Sequence, residues 1–304
     1  MRVIDLFAGA GGFSTGAVLA GANVVWAANH WQSAVQIHAK NHPGTIHVCQ
    51  DLHQADWSRV PEHDLMLASP SCQGHSKARG KDRPHHDAAR ATAWAVVSAA
   101  EFHRPYAVVV ENVPEYTDWV LYPAWKLAME TLGYSLSEHI IDAADHRVPQ
   151  HRKRLFICAT QSRTPLKLAF EASSHVPIRP YIDWEYPRWS PIEKPGRSGA
   201  TLERVRNGRQ RYGERFVMPY YGSGSGKTGR SLNRPIGTIT TRDRWAVVDG
   251  DRMRMLQPSE YRDLMGFPGD YILPGTRKEA IHMLGNAVCP PVARDIVDYI
   301  QRAA

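Results

Sequence analysis

The feature that most constrains the fold is an apolar segment that runs into a glycine-rich turn and then into a helical pattern. Residues 3–7 are strand-like, residues 9–12 read Gly-Ala-Gly-Gly, and residues 13–20 are helical up to the stop signal Gly21. Glycines let a backbone approach a ligand, and a helix start offers free N–H groups. The pattern predicts a turn that binds a nucleotide or nucleoside, with a tight turn without ligand as the structural alternative. A dinucleotide fingerprint fails, because position 14 is Ser14 and not glycine.

The same alternation continues through the first 160 residues. Strand-like segments at 24–28, 65–68, 108–110 and 155–158 are separated by helical stretches at 33–40, 88–102 and 123–132. This pattern predicts an α/β fold, a Rossmann-like, mostly parallel sheet with helices on both faces. Periodicity fades between about 161 and 233, where Pro, Gly, Arg and aromatic residues crowd together. It returns from 234 and ends in a helix near 292–301.

Composition narrows the class of protein. The formal net charge of +7 permits a polyanionic partner. Four cysteines, at 49, 72, 158 and 289, have no C-x-x-C spacing, which argues against a metal site and a disulfide framework. No apolar run approaches a membrane span, and the N-terminus lacks a signal-peptide pattern. We therefore expect a soluble, cytoplasmic protein that has no membrane partner and binds no metal.

Cys72 is a candidate nucleophile. It follows the predicted strand 65–68 directly, and open α/β sheets place their sites at the carboxyl ends of such strands. A basic stretch follows at 75–83, which could close over a phosphate backbone. From position alone, a buried structural thiol beside a solvated loop is an equally good interpretation.

Charged residues end two other predicted strands. Glu111 ends the apolar segment 108–110, where burial would raise its pKa, although an exposed strand-end glutamate is the alternative. Arg152 and Arg154 are two residues apart, so in an extended segment they share a face that suits a phosphate, a carboxylate or a base edge. A solvated basic edge is the alternative there. Residues 222–228 resemble a phosphate-binding loop, but Tyr221 breaks its spacing, so we expect a flexible basic loop.

Taken in order, these segments resemble the DNA cytosine-5 methyltransferase family of bacterial or phage type. Residues 7–12 are similar to its cofactor loop, and Ser71-Cys72-Gln73 to its Pro-Cys-Gln motif. Glu111-Asn112-Val113 is similar to its Glu-Asn-Val motif. Gln150, Arg152 and Arg154 match its Gln-x-Arg-x-Arg motif. Residues 234–239 and 285–288 resemble the two motifs that end the chain, so the resemblance extends from residue 5 to about 293.

The resemblance implies transfer of a methyl group from S-adenosyl-L-methionine to carbon 5 of cytosine in double-stranded DNA. Cys72 would attack carbon 6 of a flipped base, Glu111 would bind ring N3, and Arg152 and Arg154 would hold the ring oxygen. The implied cofactor-binding residues are Phe7, Ala8, Gly9, Gly11, Gly12, Asn29, His30, Asp51, Leu52, Pro70, Asn286 and Val288. The predicted DNA-binding residues are Gln73, Ser76, Lys77, Arg79, Lys81, Arg83, Gln150, Arg209, Arg211, Lys227 and Arg242.

The implied organisation has three segments. Residues 1–160 form the catalytic and cofactor-binding domain, 161–233 the target-recognition region, and 234–304 the return to the catalytic domain, with the C-terminal helix near the N-terminal motif. We expect a monomer that acts in the cytoplasm at the nucleoid, with a possible cognate restriction endonuclease.

Two departures from the family pattern widen the range of functions that the sequence allows. Ser71 stands where the family usually has proline. Asn29 stands where we place the family's ribose-binding glutamate, and loss of that charge would make the pocket more tolerant of a carboxylated S-adenosylmethionine. A tRNA cytosine-5 methyltransferase and a catalytically silent DNA-binding module also fit the sequence.

Overall fold

The computed structural model describes residues 1–71, 85–171, 173–220 and 226–304, with the backbone alone described for 85–91. Cys72 therefore lies outside the described residues. So do six of the predicted DNA contacts, namely Gln73, Ser76, Lys77, Arg79, Lys81 and Arg83. The described chain forms two compact units. The first contains Met1–Asp142, Lys153–Ala172 and Ala287–Ala304, and the second contains Ala143–Arg152 and Ser173–Asn286.

The strands and helices are numbered in chain order. The strands are β1 (Arg2–Leu6), β2 (Asn23–Asn29), β3 (Ile46–Cys49), β4 (Leu65–Ala68), β5 (Ala107–Asn112), β6 (Ser135–Asp142), β7 (Lys153–Thr160), β8 (Ser190–Pro191), β9 (Arg215–Pro219), β10 (Trp245–Asp249) and β11 (Arg252–Met255). The helices are α1 (Gly12–Leu19), α2 (Gln32–Asn41), α3 (His85–His103), α4 (Tyr122–Thr131), α5 (Gly199–Tyr212), α6 (Pro258–Leu264), α7 (Arg277–Asn286) and α8 (Pro290–Ala303).

The first unit contains one seven-stranded sheet in the order β3–β2–β1–β4–β5–β7–β6. All pairs among the first five strands of this order are parallel, whereas β7 is antiparallel to both of its neighbours. Strands β4 and β5 are buried along their whole length. That is why they read as continuous apolar runs and not as alternating ones. The predicted α/β fold with a mostly parallel sheet is confirmed.

Helices α1 and α8 pack closely in the first unit. A Cβ built on Gly16 would stand 2.3 Å from the Ala293 Cβ and 2.7 Å from the backbone of Pro290 and Arg294. Only a glycine lets the two helices approach to this distance. The C-terminal helix thus lies against the helix that follows the glycine-rich turn.

The second unit is built on a four-stranded antiparallel sheet in the order β8–β11–β10–β9. Helix α5 covers it, and Gly208 lets the helix backbone lie on the Phe216 ring, which would be 2.3 Å from a Cβ. The region 161–233 is therefore less irregular than predicted. Helix α5, with its Ser198 N-cap, and β9 both lie within it.

The two units also divide the chain differently from the predicted boundaries. Residues 234–286 belong to the second unit, because β10 and β11 pair with β9 and β8. Residues 153–172 belong to the first unit, because β7 pairs with β5 and β6. Pairing between distant strands decides both differences, and no local sequence pattern reports it.

Two kinds of feature are absent from the described ranges. No helix in them is both long and apolar enough to cross a membrane. Their His, Cys, Asp and Glu side chains form no group that could hold a metal ion.

Candidate active site

The candidate site lies at the carboxyl edge of the seven-stranded sheet. Leu6, at the end of β1, is paired with Ala28 of β2 on one side and Ala68 of β4 on the other. Strand β1 is therefore the place where the strand order reverses, and open α/β sheets bind ligands in the crevice outside such a point. The glycine-rich turn begins there, at Phe7.

The turn has a backbone that few residues can adopt. Phe7, Gly9 and Gly11 have φ angles of 61°, 53° and 80°, in the left-handed region. The Ala8 N–H donates to the Ala28 carbonyl at 3.0 Å, which ties the turn to β2. At Gly12 a Cβ would stand 2.1 Å from the Val288 carbonyl oxygen, so this position also requires glycine. The start of α1 thus presents its first N–H groups next to a turn that a side chain could not fill.

The residues around the turn fit an adenosine cofactor. Asp51, two residues beyond β3, is exposed, and one of its carboxylate oxygens accepts from the His53 N–H at 3.0 Å. Phe7 and the buried Pro70 supply apolar surface, whereas the Leu52 side chain belongs to the core. Carboxylate acceptors and apolar faces are what an adenine ring and ribose hydroxyls need.

The two polar residues at the end of β2 differ in their surroundings. Asn29 is buried, and its Oδ1 accepts from the Trp31 N–H at 2.9 Å, so this oxygen stabilises the loop into α2. His30 is exposed. Sequence reasoning placed the lost carboxylate at Asn29. The structure shows that the Asn29 oxygen is already used and that His30 is the exposed side chain at this strand end.

Glu111 and Arg154 form an ion pair across β5 and β7. Arg154 Nε lies 3.1 Å from Glu111 Oε1, with side chains that are 18% and 8% exposed. Glu111 is paired in register with Phe156, which places Arg154 two residues away on the same face. A nearly buried carboxylate and a guanidinium that is still partly accessible therefore lie together beside the end of β4.

Asn112 ties the end of β5 to the end of β4. Its Nδ2 donates to the Pro70 carbonyl at 3.1 Å, and its Oδ1 accepts from the Val113 N–H at 2.9 Å. Sequence reasoning treated Asn112 as part of a motif without a role for its side chain. In the structure the Asn112 amide binds the backbone carbonyl of Pro70, two residues before Cys72 in the sequence.

The Arg152 side chain makes hydrogen bonds of its own and is not part of the Glu111–Arg154 ion pair. It is 3% exposed, and its two terminal nitrogens donate to the Ile239 and Gly285 carbonyls, each at 2.9 Å. These bonds hold the segments around residues 239 and 285 together in the second unit. The geometry supports a structural role, and the catalytic role assigned to Arg152 stays a prediction.

Gln150 lies in the protein core, so its surroundings do not support the predicted contact with DNA, which stays a prediction. The residue is fully buried. Its Oε1 accepts from the Ile239 N–H at 2.8 Å, and its Nε2 donates to the Leu264 carbonyl at 3.3 Å. The sequence suggested an exposed residue because basic residues follow Gln150 in the motif. In the structure its amide instead connects segments that are distant in the chain.

The predicted DNA contacts of the second unit fall into two groups. Arg209 is engaged with the Gly250 carbonyl and the Asp251 carboxylate, both at 2.6 Å, so its charge is already paired. Arg211, Lys227 and Arg242 are exposed. Lys227 lies 3.9 Å from Glu203, a loose pair that water can separate. Exposure makes these three compatible with a phosphate contact.

Asn286 and the three described cysteines differ in their exposure. Asn286 is exposed at the end of α7, with its Nδ2 3.3 Å from His282 Nε2. Burial raises the pKa of Cys158 to about 12, which keeps this thiol protonated and inert. Cys289 is also buried, whereas Cys49 is exposed on edge strand β3.

The sheet order, the turn at the switch point and the adenosine-compatible edge define a methyltransferase of the S-adenosylmethionine-dependent class. The match to a family model is more specific. The model of the C-5 cytosine-specific DNA methylase matches residues 1–211 and 185–302. The chain belongs to this family, and its reaction is the transfer of a methyl group from S-adenosyl-L-methionine to carbon 5 of cytosine in DNA.

Individual proteins agree with this assignment. The chain is 24% identical over 323 residues to the Type II methyltransferase M.NlaX of Neisseria lactamica, covering 99% of this chain and 96% of the relative. It is 29% identical over 297 residues to the Type II methyltransferase M.HgiDI of Herpetosiphon aurantiacus, covering 95% and 90%. The fold is similar to that of the Entamoeba histolytica methyltransferase EhMeth, with a TM-score of 0.71, 16% identity and coverage of 100% and 98%. Activity on tRNA and use of a carboxylated cofactor are not favoured.

Proposed function

We propose that the methyl transfer proceeds through a covalent adduct between Cys72 and carbon 6 of a flipped-out cytosine. The observation that carries this proposal is the Glu111–Arg154 ion pair at 3.1 Å, together with the bond from Asn112 to the Pro70 carbonyl. Cys72 follows Pro70 by two residues, so at most about 7 Å of chain separates them. The nucleophile and the charged pair thus belong to neighbouring strand ends.

Cys72, Glu111 and Arg154 have separate roles in the proposed reaction. A Cys72 thiolate adding to carbon 6 makes carbon 5 nucleophilic, and negative charge then develops on the ring. Glu111 binds the ring at N3, and the Arg154 guanidinium, fixed by Glu111, stabilises the ring oxygen. Loss of the carbon-5 proton to a bound water releases Cys72. A stacked duplex hides carbon 6, so the base has to leave the helix first.

The cofactor is held at the glycine-rich turn. We assign its binding to Phe7, Ala8, Gly9, Gly11 and Gly12, with Asp51, Pro70 and the backbone at Leu52 and Val288. The cofactor contacts of Asn29, His30 and Asn286 stay predictions from the sequence. S-adenosylmethionine supplies an electrophilic methyl group on its sulfonium when it is bound.

DNA recognition belongs in our proposal to the second unit. Its exposed basic residues Arg211, Lys227 and Arg242 provide phosphate contacts, and the segment 73–83 supplies further ones. Relatives named Type II methyltransferases support a role in restriction–modification. We further propose a cognate endonuclease, and a monomer that acts on DNA at the nucleoid. Methylation of the host's own sites would protect them from that endonuclease.

The test uses the full chain with duplex DNA and S-adenosylmethionine, followed by mass spectrometry of the nucleosides. We expect 5-methyl-2′-deoxycytidine, and a covalent adduct with DNA that contains 5-fluorocytosine. Cys72→Ala should abolish both while DNA binding is retained. Cys49→Ala, the replacement of an exposed cysteine on β3, is the matched control and should leave both unchanged. An adduct that survives Cys72→Ala, or equal loss of catalysis and binding, would refute the role of Cys72.

A further inference from the structure

A chain of hydrogen bonds runs from beneath the glycine-rich turn towards the surface of the first unit. Ser14 Oγ lies 2.7 Å from Asp5 Oδ2, His38 Nε2 lies 2.9 Å from Ser14 Oγ, and His47 Nε2 lies 2.8 Å from His38 Nδ1. Four elements contribute, namely β1, α1, α2 and β3. We propose that Asp5, Ser14, His38 and His47 form a proton relay that lets this carboxyl exchange its proton with solvent and so makes cofactor affinity depend on pH.

Asp5 is the inner end of the relay and has no route to water of its own. The residue is 0% exposed, and its Oδ1 has no hydrogen-bond partner among the described residues. Burial raises the pKa of Asp5 to about 7, against the opposing effect of the two bonds from Ser14. The carboxyl therefore changes its charge near neutral pH.

The two histidines are suited to pass a proton without holding a charge. Burial lowers the pKa of His38 well below its usual value, with His42 and His47 adding to the effect. Partial burial also lowers the pKa of His47, which is the partly exposed outer end. The titratable groups that face His38 are thus His42 on its own helix, His47 on β3 and, through Ser14, Asp5 on β1. Helix α1 and strand β2 contain no ionisable residue.

Transfer of one proton along the relay exchanges donor and acceptor in each of its hydrogen bonds. Below the transition, Asp5 donates to Ser14 Oγ, Ser14 donates to His38 Nε2, and His38 Nδ1 donates to His47 Nε2. When pH rises, His47 gives up its Nδ1 proton to solvent, which also breaks the bond from this ring to the Thr45 backbone, and takes one at Nε2 from His38. His38 takes one at Nε2 from Ser14, and Ser14 takes the Asp5 proton. Asp5 becomes a carboxylate, and both histidines stay neutral but change tautomer.

The charge on Asp5 acts on the turn through Ser14. The Ser14 N–H, in the first turn of α1, donates to Asp5 Oδ2 at 3.1 Å, and the N-cap residue Gly11 has no side chain that could replace this acceptor. A carboxylate at a helix start stabilises it more than the neutral acid does. Asp5 is a positioning residue in this view, and it orders the turn that binds the cofactor. This second step rests on the proposed role of the turn.

The deciding experiment is histidine ring ¹⁵N NMR of the full chain without cofactor, between pH 5.5 and 8.5. We expect His38 to change from the Nδ1–H to the Nε2–H tautomer while remaining neutral. Asp5→Asn should lock it as Nε2–H, because the amide oxygen has to face the Ser14 N–H and therefore also accepts from Ser14 Oγ. His42→Gln is the control, because His42 is bonded to Thr15 at 3.2 Å and lies off the relay. A single His38 tautomer across the range, or a charged His38, would overturn the relay.

Calorimetric titration with S-adenosylhomocysteine tests the link to the cofactor separately. In the wild type the Kd should rise about fivefold from pH 8.5 to 5.5, the usual effect of losing a helix cap. Asp5→Asn should bind weakly at every pH, and His42→Gln should behave as the wild type. A tautomer change with a constant Kd would retain the relay and refute its coupling to the turn. Absence of binding in the wild type would instead refute the cofactor site.

Discussion

Gly16→Ala tests whether the contact between α1 and α8 supports the cofactor turn. The new methyl group would stand 2.3 Å from the Ala293 Cβ and 2.7 Å from both Arg294 N and the Pro290 carbonyl oxygen. Ordinary carbon contacts are about 3.5–4.0 Å, so α8 has to move by about 1 Å. Since two of the three atoms are backbone, no rotamer change relieves the clash.

The magnitude follows from two opposing terms. Overpacking costs about 1–3 kcal/mol, and the clash with backbone favours the upper part of that range. Replacing a helical glycine with alanine returns up to about 1 kcal/mol of helix propensity. We expect a net loss of about 1–2 kcal/mol, which for a chain of 304 residues corresponds to a fall in Tm of about 2–3 °C.

Thermal and urea unfolding followed by circular dichroism measure this loss. Gly44→Ala is the matched control in the same unit, because a Cβ there meets nothing within 4 Å and its φ is not positive. Its Tm should stay within about 1 °C of the wild type. A Gly16→Ala protein as stable as the Gly44→Ala protein would show that the two helices are not held at this distance.

Three further predictions concern ionisable side chains that are buried or partly buried. Arg254→Ala should cost about 3–5 kcal/mol in urea unfolding because it leaves the buried Glu260 carboxylate, 2.6 Å away, without its counter-charge; a loss below about 1 kcal/mol would contradict this. Burial lowers the pKa of His42 to about 4, so stability present above pH 6.5 is lost as pH falls towards 4. His42→Gln should remove up to about 3 kcal/mol of that dependence, and an unchanged acid profile would count against it. Arg154→Ala should lower the kcat of the folded protein at least about 100-fold, and it should also lower Tm because it breaks the nearly buried ion pair with Glu111. Arg152→Ala should lower Tm with little change in the kcat of the folded protein; the reverse result would exchange the two roles.

Much of the first unit could be predicted because its signals are local. The strand before the turn, the helices and the strands that became β1, β2, β4, β5 and β7 agree with the structure to within a few residues. Strand β3, which is only half buried, and strand β6, an edge strand with polar residues, were missed. Because these strands are partly exposed, they contain few apolar residues in a regular pattern, and the sequence signal for a strand is weak.

The order of the motifs along the chain, by itself, determined the family and the reaction. Only the tertiary structure decided which side chain of a motif meets which partner. Arg152 and Arg154 look alike in the sequence, yet one binds the carbonyls of residues 239 and 285 and the other pairs with Glu111. Gln150 is likewise a core residue because its partners, Ile239 and Leu264, are distant in the sequence. Hydrogen-bond partners that lie 87 or more residues away in the chain leave no trace in a local pattern, whereas a glycine-rich turn after a strand is set by its own few residues.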